Sequence, residues 1–263
     1  MTEQSSVLVE RHGHVMLITL NRPAVMNAVN SETSSMVGEL LDEAEQDRGV
    51  RAVVLTGAGD RAFCAGADLA ALSRGESLFA SGRQWWGFAG YVSHPISKPT
   101  IAAVNGFALG GGTELALASD LVVAVESATF GLPEVKRGLF AAAGGVFRLP
   151  AQIPEKIALE MIYTGEPLDA YRAHSLGLVN RVVSDGAAVT TALALAERIA
   201  ANAPLSVQAS KRVAKGIVSG KVPGESDAWR RTELEARSVM VSADLREGTR
   251  AFIEKRQPEW SGE

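Results

Sequence analysis

The stretch Ala103-Val-Asn-Gly-Phe-Ala-Leu-Gly-Gly-Gly-Thr-Glu-Leu-Ala116 decides how the chain folds. It opens on the end of an apolar run, residues 100–104, which is too short for a helix and has no polar alternation, the pattern of a buried strand. It then crosses glycines at 106 and 110–112 and enters a helical segment through residues 115–118. A second buried strand at 121–124 and an extended piece at 128–130 follow. Upstream the same order holds: a buried strand at 52–55, a glycine-rich loop at 57–66, and a helical beginning at Asp68. Alternating strand, glycine loop and helix predict an α/β core built on right-handed crossovers, with the chemistry gathered in loops at strand ends.

Around this centre, residues 7–10 and 15–20 read as a hairpin turning at His12 and Gly13 and closed by Asn21-Arg22-Pro23. Met36, Val37, Leu40, Leu41 and Ala44 recur at helical spacing from Ser31 to about Arg48. Residues 78–94 read as a helix that stops at Pro95 in spite of Gly82, Gly87 and Gly90. From 184 onward the chain is helical and alanine-rich, over 187–201, 205–218, 226–241 and 245–255, and its apolar faces require the core or another subunit. The expected division is an α/β core, 1–200, and a helical C-terminal region, 201–263.

With 46% hydrophobic and 21% charged residues, the 263-residue chain is neither a disordered tail nor a disulfide-dense miniature. A net charge of −4, from 26 Lys and Arg against 30 Asp and Glu, repels a phosphate backbone, so no nucleic-acid partner is expected. The single cysteine, Cys64, has no disulfide partner, and the four histidines lack metal-site spacing. No apolar run approaches the roughly 18 residues of a membrane span. The N-terminal residues show no export signal. A reducing cytoplasm, no metal and no membrane span are the expectations.

Several motifs invite a sharper reading. Gly57-Ala-Gly-Asp-Arg-Ala62 matches a dinucleotide-binding pattern but continues into Phe63-Cys64-Ala65-Gly66 rather than a helix, and is rejected. No nucleophile elbow or phosphate loop is present. Cys64 has no neighbouring base and reads as a small buried residue; Trp85-Trp86 reads as packing, and Lys211-Arg212 and Lys255-Arg256 as solvated helix charges. Glycines 110–112 leave backbone N–H groups unobstructed where a helix begins, a geometry that suits an anion or a developing oxyanion. A tight turn followed by Glu114 as a first-turn acid accounts for the same residues. Phe130-Gly-Leu-Pro-Glu134 brings a second carboxylate beside a proline-fixed turn. Two carboxylates that meet can hold one water and divide the acid and base roles, because repulsion and desolvation raise at least one pKa.

Taken in order, Leu20-Asn-Arg-Pro with Met26-Asn-Ala, Ala62-Phe-Cys-Ala-Gly-Ala-Asp68, 103–112 with Glu114, Ala118-Ser-Asp120, Phe130-Gly-Leu-Pro-Glu134, Gly144-Gly145 and Phe252-Ile-Glu-Lys-Arg-Gln-Pro-Glu-Trp260 resemble the crotonase, or enoyl-CoA hydratase/isomerase, superfamily. The resemblance implies a spiral of ββα units with a helical C-terminal region that makes trimers, often paired into hexamers. It implies an acyl-CoA thioester substrate whose oxygen is held by the backbone N–H groups of Ala67 and Gly111. Coenzyme A enters as part of the substrate, and no metal or redox cofactor is implied. Glu114 would activate water for attack on C3 and Glu134 would deliver a proton to C2. Arg22, Ala28, Ala65, Asp68, Leu69, Phe252 and Lys255 are the candidate substrate and CoA contacts.

The implied reaction is reversible hydration of a 2-enoyl-CoA to 3-hydroxyacyl-CoA. Δ3-Δ2-enoyl-CoA isomerisation, a specialised dehydration of the carnitinyl-CoA type, and a noncatalytic CoA-binding or RNA-associated role stand as alternatives. Hydratases of the family carry glycine where this chain has Ala142. If that position needs positive φ, the Cβ is costly and the catalytic water is displaced. Gly144-Gly-Val-Phe-Arg-Leu also replaces the more usual Gly-Gly-Thr-Gln-Arg-Leu.

Overall fold

The computed structural model describes residues 5–263; residues 1–4 of the expected core lie outside the described part. In chain order the elements are β1 (Val7–His12), β2 (Val15–Leu20), α1 (Ser31–Gln46), β3 (Ala52–Gly57), β4 (Ala62–Cys64), α2 (Leu69–Ser73), β5 (Thr100–Val104), β6 (Phe107–Leu109), α3 (Gly111–Ala118), β7 (Leu121–Val125) and β8 (Thr129–Gly131). They continue as α4 (Gly145–Gln152), α5 (Glu155–Thr164), β9 (Leu168–Asp169), α6 (Ala170–Ser175), β10 (Arg181–Val183), α7 (Ala188–Ala200), α8 (Pro204–Lys215), α9 (Ser226–Val239) and α10 (Ala243–Glu254).

The strands form two sheets, ordered β1-β2-β3-β5-β7-β10 and β4-β6-β8-β9. In the first, β2, β3, β5, β7 and β10 run parallel and β1 pairs antiparallel at the edge. In the second, β4, β6 and β8 are parallel and β9 is antiparallel. The chain therefore steps from one sheet to the other with each strand pair, β3 to β4, β5 to β6, β7 to β8, and follows each pair with a helix. This is the expected ββα spiral. β3 and β5 are buried along their whole length, as strands covered on both faces must be.

Helix α7 covers the large sheet with a stripe of small residues. Ala188, Ala192, Ala196 and Ala200, four apart, are all buried, so the helix backbone lies close to the strands. Helix α8 is fixed differently. The Lys211 ammonium reaches Asp120 at 2.7 Å and the Lys98 carbonyl at 2.8 Å, and its side chain is 10% exposed. The reading of Lys211 as a solvated charge is thus corrected: its ammonium is withdrawn from solvent onto Asp120 and the Lys98 carbonyl, while Arg212 is exposed.

The expected helix over 78–94 is also corrected. Only two short 3-10 turns form there, Gln84–Trp86 and Phe88–Gly90, with Gly82, Gly87, Ala89 and Gly90 at positive φ. The segment lies directly on the backbone of α1. A Cβ on Gly90 would stand 2.1 Å from the Ser34 carbonyl oxygen, and the space above Gly38 is filled by the Trp86 ring. Glycine here permits backbone-to-backbone contact that a regular helix would prevent. Trp86 stacks on His94 at 4.8 Å, as a packing residue. No helix among the described residues is long and apolar enough to cross a membrane.

Strands β4 and β6 fall inside what the sequence shows as glycine loops, and β6 places α3. Thr113, on the first turn of α3, has its buried hydroxyl 2.7 Å from the Ala108 carbonyl and 2.9 Å from that of Gly131, and accepts the Gly131 N–H at 3.0 Å. The hydroxyl ties the helix start to β6 and β8 together. Thr113→Val keeps the shape and removes the acceptor of the buried Gly131 N–H, while the Gly131 carbonyl keeps the Gly110 N–H at 2.8 Å. It is expected to lower the unfolding free energy by about 1–3 kcal/mol, read as a lower urea midpoint at constant slope.

Candidate active site

The three consecutive glycines are required for three different reasons. Gly110 adopts φ +55 and its Cα faces Glu134, whose Oε1 would stand 3.0 Å from a Cβ there. Gly111 lies under the Phe88 ring, and Gly112 abuts the Cys64 carbonyl, which would be 2.0 Å from a Cβ. The helix start is thereby pressed between β4 and the turn after β8. On its far side, a Cβ on Gly66 would come within 3.1 Å of the Gly111 nitrogen, so the Gly66-Ala67 loop and the Gly110-Gly111 step are in direct contact. Among the described residues, neither the Ala67 N–H nor the Gly111 N–H donates to a protein acceptor.

The two carboxylates meet here. Glu114, 3% exposed, projects from the first turn of α3, and its Oε1 accepts the Gly145 N–H at 2.9 Å. Glu134 stands in the 3-10 turn Pro133–Arg137, with Oε2 buried and without a hydrogen-bond partner. Burial, and then the charge of Glu134, pushes the Glu114 carboxyl well above the ordinary range; the N–H groups of Gly145 and Ala143, and Arg148, pull the other way. Burial likewise raises Glu134, against the pull of its own N–H. Close, buried carboxylates titrate as a pair and retain a shared proton where isolated ones would have lost both.

Arg22, Ala28, Ala65, Ala67, Asp68 and Leu69 form a second group on the same side. Arg22 pairs with Asp68 at 2.8 Å and donates to the Ala28 carbonyl at 2.6 Å. Asp68 also caps α2, accepting the Ala71 N–H at 3.0 Å, so Leu69 opens that helix beside it. The Ala65 N–H donates to the Met26 carbonyl. Behind them Asn27, buried and at φ +56, accepts from the Arg22 N–H and donates to the carbonyls of Ala58 and Ala62. Phe252 and Lys255 lie apart on α10. Phe252 sits under the Arg137 guanidinium at 4.6 Å, and Lys255 closes the helix at φ +54. No hydrogen bond or ion pair joins either to the Arg22–Asp68 group.

Ala142 is not among the positive-φ residues, so its Cβ carries no backbone penalty and the concern about that position does not apply. Cys64 is fully buried with its thiol pushed up to about 12, the inert role read from sequence. Ala62 begins a strand, which removes the helix N-terminus that the dinucleotide pattern requires. Two residues escaped the sequence reading: Thr113, and Arg148 at the fourth position of α4. A basic residue inside the apolar 139–149 segment was the available signal for Arg148.

The sequence model of the enoyl-CoA hydratase/isomerase family matches residues 10–263. The chain belongs to the enoyl-CoA hydratase/isomerase family. Its relatives in that family include carnitinyl-CoA dehydratases from Citrobacter koseri, 42% identical over 96% of this chain and 97% of that one, and from Proteus mirabilis, 40% identical over 98% of each. Among solved structures of enoyl-CoA hydratase/isomerase relatives, the carnitinyl-CoA hydratase of Mycobacterium avium is 60% identical, covering 99% of this chain and 100% of that one with a TM-score of 0.98. The enoyl-CoA hydratase of Mycobacterium tuberculosis is 45% identical over the same shares, with a TM-score of 0.77.

Proposed function

We propose that Glu114 and Glu134 carry out the reversible addition of water across the 2,3 double bond of a 2-enoyl-CoA. Family and relatives make the chain a hydro-lyase acting on CoA thioesters. The observation that carries the division of roles is the approach of two carboxyls to one helix start, close enough for the charge of Glu134 to act on Glu114, with one Glu134 oxygen buried and unpartnered, beside two N–H groups that the protein leaves without acceptors. In this reading the thioester oxygen sits between the Ala67 and Gly111 N–H groups. Water held by both carboxyls attacks C3 while Glu114 takes its proton. The electron pair of the double bond moves to the thioester oxygen as an enolate, and Glu134 gives its proton to C2. The N–H pair stabilises the enolate more than the starting carbonyl, which is what accelerates the step. Addition of water is redox-neutral and needs no electron acceptor.

Arg22, Ala28, Ala65, Asp68 and Leu69 supply the CoA-side wall in this proposal, with Phe252 and Lys255 approaching from α10. The exposed apolar residues of the C-terminal helical region, Leu205, Val213, Leu234, Val241 and Ile253, support assembly into a homotrimer or a dimer of trimers. A second reading, favoured by the names of the relatives, is the same elimination on a 3-hydroxyacyl-CoA bearing a quaternary ammonium, the carnitinyl type. Mixing the enzyme with crotonyl-CoA is expected to bleach the conjugated-thioester absorbance with a mass gain of one water. Bleaching only with the ammonium-bearing enoyl-CoA assigns the carnitinyl type, and an isomerised product of unchanged mass overturns the hydration reading.

A further inference from the structure

Arg148 occupies a cage that the catalytic scheme does not use. Its Nε and Nη2 donate to the two oxygens of Glu225 at 2.9 and 2.6 Å. Its guanidinium carbon lies 5.6 Å from the Phe147 ring centre and 5.3 Å from that of Trp229. The Trp229 indole N–H fixes Glu225 from α9 at 3.2 Å. The third nitrogen, Nη1, is buried and has no hydrogen-bond partner. It faces Gly144, where a Cβ would be 3.3 Å away, and the next N–H along, that of Gly145, is the one Glu114 accepts. A partly buried ion pair with an idle buried donor is a weak stabiliser, because desolvation offsets part of the attraction and the unused N–H adds its own penalty. Its place behind the Glu114 turn gives it another use.

We propose that the Arg148–Glu225 pair is a positioning device for Glu114. The guanidinium sets positive charge behind the Gly144-Gly145 turn and favours the carboxylate that takes the proton of water, and Glu225 sets how much of that charge Glu114 feels. The inference rests on the role assigned to Glu114 above. The other charged or titratable groups facing Glu114 are few. Glu134 comes from the turn after β8, and Cys64 on β4 stays neutral with its thiol at about 12. β5, β6 and β8, which also pack on α3, carry no ionisable side chain, and α4 carries only Arg148. Arg148 lowers the proton affinity of Glu114 against the larger upward push of burial and Glu134.

The test is a carboxyl titration of the full-length enzyme labelled with 13C at glutamate Cδ, with the Glu114 resonance assigned by its loss in Glu114→Gln and the pH profile of kcat measured alongside. Arg148→Met is expected to raise the Glu114 midpoint by about half to one pH unit, and Glu225→Gln, which unmasks the guanidinium, to lower it by a similar amount. The profile limb belonging to Glu114 moves the same way in each. A packing role alone moves neither midpoint or moves both in one direction, and either result overturns the proposal. Should Arg148→Met fail to fold because Glu225 is left alone, Arg148→Met with Glu225→Gln leaves no lone charge. Its midpoint is expected above that of Glu225→Gln, and equality of the two overturns the proposal. Retained turnover in Glu114→Gln would instead remove the role of Glu114, while the midpoints still report on the pair.

Discussion

Glu134→Gln is expected to lower kcat by about 100- to 10,000-fold, the range lost with a positioned general acid, and also to flatten the fall of stability with pH. Glutamine keeps the volume and the contact with Gly110 but cannot give a proton to C2. The stability effect follows from Oε2, which is buried and unpartnered, so that the ionised carboxyl is the costly form. Burial raises the folded-state value above the unfolded one, near 4.5. The native protein therefore holds its proton more tightly. The stability this contributes is fully present below about pH 4.5 and is lost as pH rises through the raised value. Chemical unfolding between pH 4 and 9 should show wild type losing stability across that window and Glu134→Gln losing less, the remainder belonging to Glu114. A kcat near wild type would take Glu134 out of the proton transfer. Parallel stability curves would show that its carboxyl is not held protonated by burial.

What the sequence makes legible here is whatever short-range pattern dictates. The wholly apolar runs that become β3 and β5 announce themselves, as do α1 and the alanine-spaced α7, because each is long enough or apolar enough to outweigh its neighbours. β4 and β6 are three residues long and flanked by glycines. Nothing local marks them as strands, and they exist because each pairs with the strand of the preceding or following turn of the spiral. The 78–94 segment fails in the opposite sense. Its composition supports a helix, but four positions take positive φ, and at one of them, Gly90, the chain lies against the α1 backbone where no Cβ fits.

The site divides in the same way. Glu114 and the glycines before it are visible as a motif, yet the same residues describe a capped turn until Glu134 is brought against Gly110. The ordered resemblance to a family, rather than spacing, joins those two carboxylates. The Arg148–Glu225 pair is separated by 77 positions, and the Lys211–Asp120 pair by 91, so neither leaves a local trace; both are set by where the C-terminal helices dock.

Gly111→Ala is expected to lower kcat/KM by about 100- to 1,000-fold, the cost of misaligning one donor at a developing oxyanion. A Cβ at 111 would stand 2.3 Å from Cε1 and 2.5 Å from Cζ of Phe88. That ring is itself buried at 7% exposure, within the core cluster. It has little room to swing away, so the 111 peptide must shift, and its N–H shifts with it. Because these donors act on charge that appears only as the enolate forms, the loss should fall on kcat, while a saturated acyl-CoA binds nearly as before. Gly112→Ala is the informative contrast. Its Cβ would meet the Cys64 carbonyl, which is β4 backbone and cannot rotate aside. That variant should lose stability as well as rate, because the helix start must leave the second sheet. Thermal unfolding separates the two: Gly111→Ala with a smaller loss of Tm than Gly112→Ala and a depressed kcat places the effect on the N–H. Unchanged kcat/KM in Gly111→Ala would mean that the thioester oxygen is held elsewhere.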